Sequence, residues 1–154
     1  MGGAGREDAV SGATALIVET SADEECPGEF FGDSADIVYF ISFAHSQRYG
    51  ADHPLAKAAA VLKRQLGLNL APLLTFADAR ADSGDDERAL QAIWQDAAPL
   101  AESARRVAEA IDQTPQLRAL TADFPELPDR LRELAEMADW AAQRGALVRL
   151  SYVI

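Results

Sequence analysis

From Leu90 to Ala141 the apolar side chains recur at helical spacing, with proline and glycine standing where helices begin and end. Leu90, Ile93, Trp94, Ala97, Leu100, Ala104, Val107, Ala108 and Ile111 fall on one stripe, which predicts the longest helix of the chain. Pro99 lies within it and removes the N–H that would bond the carbonyl of Gln95, so a kink is expected there. Thr114-Pro115 reads as an N-cap and first helical residue, opening a short helix to about Ala122 that Phe124-Pro125-Glu126-Leu127-Pro128 ends. A second stripe, Leu127, Leu131, Leu134, Ala138 and Ala141, predicts a final helix over 127–144 with its stop at Arg144-Gly145. The turns between them let the long and final helices return antiparallel, stripe against stripe.

The middle of the chain carries weaker versions of the same signals. Pro54 suits a first helical turn, Leu55, Ala58, Ala59, Leu62 and Leu66 share a face, and Gly67 can close a helix over 53–66. Pro72 predicts a shorter helix ending near Arg80, with an extended Leu68–Leu74 as the alternative. Asp82-Ser83-Gly84-Asp85-Asp86-Glu87 resembles a calcium loop in composition only. It lacks the ligand alternation and the terminal Glu, and capping of the next helix accounts for it.

Extended structure is expected at the two ends. Thr14–Thr20 is a short apolar run with β-branched residues, and Val148, Leu150, Tyr152 and Ile154 alternate with Arg149 and Ser151. Ile37–Phe43 reads as a strand covered on both faces, although Ile37, Phe40, Ile41 and Ala44 also fit a helix. Between the first two segments, residues 21–35 form an acidic loop with turn chemistry at Cys26-Pro27-Gly28 and Gly32-Asp33-Ser34. The expected class is α+β and predominantly helical: a helical layer or bundle packed with a small sheet of N-terminal and C-terminal strands. At 154 residues, one domain over 13–154 accommodates this, after a mobile tail at 1–12 too poor in apolar surface to fold.

A net charge of −11 repels phosphates and anionic lipid, so nucleic acid is an unlikely partner. No apolar run approaches the roughly 20 residues that cross a bilayer. Cys26 is the only cysteine, which excludes an intrachain disulfide and fits a reducing, cytoplasmic setting. No Walker loop, dinucleotide fingerprint, GxSxG elbow or HExxH motif is present.

Both histidines lie within His45-Ser46-Gln47-Arg48-Tyr49-Gly50-Ala51-Asp52-His53. His45, Asp52 and His53 could bind a divalent transition metal, or one imidazole could act as a general base while Arg48 steers an anion. The structural alternative is a loop in which Asp52 or His53 caps the following helix. Asp23, Glu24 and Glu25 oppose ionisation of the Cys26 thiol, which weakens it as a nucleophile. Asp33 and Asp36 are accounted for by turns and caps, and Trp94 and Trp140 by the core. No cofactor is predicted. The reading favoured by the residues is a noncatalytic protein-interaction, regulatory or adaptor domain acting through a helical surface, on a protein partner or by self-association as a homodimer. The competing reading is a small metal-dependent or general-base enzyme centred on His45 to His53.

Overall fold

The structure, a computed structural model, describes residues 14–45 and 52–154; the expected tail at 1–12 and most of the His45–His53 linker lie outside the described residues. The fold is α+β and mostly helical, with a small mixed sheet. Strand β1 (Ala15–Thr20) leads through the acidic loop to helix α1 (Ala35–His45). Helix α2 (Pro54–Ala60) widens into a π-helical turn at Val61–Gln65, where the Leu66 N–H bonds the carbonyl of Val61, and ends at Gly67 with φ +67°. Then follow β2 (Phe76–Asp78), α3 (Gly84–Ala92), β3 (Gln95–Asp96), α4 (Ala97–Gln113), α5 (Pro115–Leu120), α6 (Leu127–Gln143) and β4 (Leu147–Val153).

Helices α4 and α6 form the centre of the helical layer. Their antiparallel sense is fixed by two ion pairs: moving forward from Arg105 to Asp112 on α4, the partner moves back from Asp139 to Arg132 on α6. Leu100, Val107 and Ile111 are buried on one helix, and Leu131, Leu134 and Ala138 on the other, so the two stripes meet in the interior as their spacing predicts. Gly145, at φ +67°, closes α6 and turns the chain into β4. That strand runs through the middle of the sheet, with β1 antiparallel on one side and β2, parallel, on the other, beside the short antiparallel β3.

Three sequence expectations are corrected. Ile37–Phe43 is not a strand but the middle of α1, because the Asp33 carboxylate accepts the Ala35 N–H at 2.8 Å and starts a helix. Burial at Ile37, Val38, Phe40, Ile41 and Ala44 then follows the helical period. Pro72 does not open a helix reaching Arg80; it lies in a turn that leads to β2, which pairs with β4. The long stripe is not one kinked helix either. Its first part is α3, capped by Ser83 Oγ on the Asp86 N–H and without a buried residue, and the chain then leaves the helix to pair Gln95 and Asp96 with β4. Pro99 falls in the first turn of α4, where its missing N–H has no intrahelical partner to lose.

Candidate functional site

His45 and His53, at the two ends of the histidine segment, each make local contacts among the described residues. His53 is the N-cap of α2: its Nδ1 accepts the Leu55 N–H at 3.0 Å, and its ring stacks on Phe43 at 3.6 Å with the planes 7° apart. Phe124 flanks the same ring at 5.9 Å. His45 is exposed at the end of α1 and meets Phe76 edge-on at 5.5 Å. Asp52 is exposed, and Arg48 lies outside the described residues. Among the described residues no group of three or more His, Cys, Asp or Glu side chains is placed to hold a metal ion.

The other sequence candidates have local structural partners. Asp33 caps α1, and Asp36 accepts the Glu126 N–H at 3.2 Å, tying the start of α1 to the start of α6. Burial pushes the Asp36 carboxyl above its usual range, opposed by that N–H and reinforced by the nearby Glu126 and Asp33 charges. Trp140 packs at the edge of the core, whereas Trp94, expected in the core, is only half-buried and is not among the residues packed against it; each ring is covered by an arginine, Arg144 at 4.0 Å from the Trp140 ring centre and Arg149 at 4.6 Å from that of Trp94.

What sequence spacing does not reveal is how the acidic loop lies along α6. Glu24 pairs with Arg144 at 2.6 Å, Gly28 faces Met137, and Phe31 and Gly32 reach Glu133 and Arg130, so the loop runs antiparallel to the helix. Arg130 is only 5% exposed and lies between this loop and the carboxylates of Glu126 and Glu133. Its Nη1 donates to the Phe31 carbonyl, while Glu133 Oε1 accepts the Phe31 N–H at 3.2 Å and lies 3.0 Å from Arg130 Nε. That Nε makes no directed hydrogen bond, so its attraction to Glu133 is Coulombic. Gly32 takes φ +112°, and a Cβ there would stand 3.1 Å from Arg130 Nη1, so glycine alone fits against the guanidinium.

The result is a loop gripped at both polar groups of one residue whose side chain is left outside: Phe31 is 84% exposed. Between this loop, β1 and Met137 lies a cleft of about 550 Å³ lined by Val18, Glu19, Thr20, Glu25, Cys26 and Gly28, among others. Cys26 is half-buried in its wall. Compared with protein-family models, with curated proteins and with solved structures, the chain finds no match in any of the three.

Proposed function

We propose that the chain is a noncatalytic protein-interaction or regulatory domain whose contact surface is formed by the acidic loop laid along α6. The observation that carries this reading is Phe31. An aromatic side chain of this size forgoes about 2–3 kcal/mol of burial by staying in water, yet its main chain is held by a buried arginine and a glutamate. Aromatic side chains dominate interface energetics, and a main chain already held in place reduces the conformational entropy lost when such a side chain enters a partner's pocket. The stripe of α4 is buried against α6, so the contact surface is assigned to the loop rather than to that stripe.

The test compares wild type with Phe31→Ala in recovery of partners from a native extract, with light scattering on the purified protein to detect self-association. Loss of a specific partner, or of a dimer, in the variant supports the reading. Identical partners and identical mass for both proteins would overturn it.

A further inference from the structure

Resting on that interaction reading, we infer that the edge of β1 left unpaired among the described residues takes an extended, lysine- or arginine-bearing segment of a partner protein as an added strand. The register makes β1 an edge with a defined polarity. Ser21 donates its N–H to the Leu147 carbonyl, which continues the β1–β4 ladder and makes Ile17 and Glu19 the residues whose main chain faces β4. The main-chain groups of Leu16, Val18 and Thr20 therefore point away from it. The Leu16 N–H confirms the direction, since it is taken by Ser34 Oγ at 2.9 Å. Among the described residues, the N–H and C=O of Val18 and Thr20 have no hydrogen-bond partner.

This unpaired stretch opens on the cleft in front of the acidic loop. Unpaired edge groups are the template on which a peptide adds by main-chain hydrogen bonds, with neighbouring side chains selecting its sequence. Here the selecting side chains are Glu19, Asp23, Glu24 and Glu25. Arg149 pairs with Glu19 and Arg144 with Glu24, while Asp23 and Glu25 have no cationic partner among the described residues. Among the described residues the rim thus holds negative charge without a paired cation, beside hydrogen-bonding groups without a partner. A second copy would bring an equally acidic rim against it on a chain of net charge −11, which favours a basic partner over self-pairing.

The probe is a fluorescein-labelled peptide of about six residues, the length of an ordinary strand, alternating Lys with Val or Thr. Its binding to the full chain is read by fluorescence anisotropy at low and high salt. Three comparisons accompany it: the same peptide with Glu in place of Lys, the variant Val18→Pro, and the double variant Asp23→Lys with Glu25→Lys. Proline at 18 removes one outward N–H and no ladder bond, so the sheet is kept, and circular dichroism verifies the fold of each variant.

Strand addition predicts saturable binding that weakens with salt and falls on the order of tenfold or more in each of the three comparisons. Equal binding of the Lys and Glu peptides, or undiminished binding by folded Val18→Pro, would overturn it. So would a dimer that Val18→Pro dissolves, because the occupant would then be a second copy. Failure here is separable from failure of the interaction reading: partners lost by Phe31→Ala but retained by Val18→Pro leave that reading standing and remove strand addition.

Discussion

Truncating Leu134 to alanine tests the packing that holds the domain together. Leu134 is fully buried, and a buried Leu→Ala change costs about 2–5 kcal/mol, a large share of the roughly 5–15 kcal/mol that stabilises a domain. Taking about 3 kcal/mol, the melting temperature should fall by roughly 6–12 °C for a chain of this size. The register defined by the Arg105–Asp139 and Asp112–Arg132 pairs sharpens the test. It sets Leu134 against the turn that holds Ile111 and puts Leu100 about ten residues, or roughly 15 Å, further along α4. Leu100→Ala and Leu134→Ala should therefore add in a double variant, whereas Ile111→Ala and Leu134→Ala should depart from additivity by about 0.5–3 kcal/mol. Urea denaturation followed by circular dichroism measures both cycles. Strong coupling of the distant pair together with none in the near pair would refute the antiparallel register.

Three further perturbations probe local features. Burial raises the Asp36 carboxyl, so the folded state binds its proton more readily than the unfolded chain, and this site's contribution to stability declines as pH rises through the folded-state titration. Asp36→Asn, whose amide oxygen still accepts the Glu126 N–H, should thus be more stable than wild type at neutral pH, with the difference vanishing below the usual carboxylate range in parallel thermal melts. Replacing Gly145, which has open space where a Cβ would go but φ +67°, with alanine should cost about 1–2 kcal/mol from backbone conformation alone in urea titrations. His53→Ala removes both the α2 cap and the stack on Phe43, and should cost at least about 1 kcal/mol by the same measurement, while zinc titrated into wild type and into this variant compares their metal affinity directly.

The histidine segment illustrates how far residue types alone carry a functional argument. Two imidazoles and a carboxylate in nine positions satisfy the chemistry of a site by residue type, whereas ligation also needs convergence in space; of these groups, His53 has its Nδ1 turned to a helix N-terminus. The capping alternative was readable from Pro54, which marks where α2 begins. The grip on Phe31 had no such local sign. Glycine at 32 and arginine at 130 are unremarkable apart, and they meet only because the loop runs back along α6 across nearly 100 residues of chain.

The sequence by itself determined the helical character of α4 and its end before Thr114, the helices α5 and α6 to within a residue or two, the strand character of β1 and β4, and the glycine stops at 67 and 145. These depend on side-chain period, proline and glycine, which act within one or two turns of the chain. Tertiary structure decided that Ile37–Phe43 is helical, since so short an apolar run satisfies either period and only a cap and a surrounding core choose between them. It also decided the break at Gln95 and Asp96. There the open side of β4 offers hydrogen bonds that continuation of a helix would forgo, and Gln95 Nε2 adds one to the carbonyl of Pro72 at 3.0 Å. A strand's demand for a neighbour is nonlocal, because the residues that satisfy it are brought beside it by the whole fold.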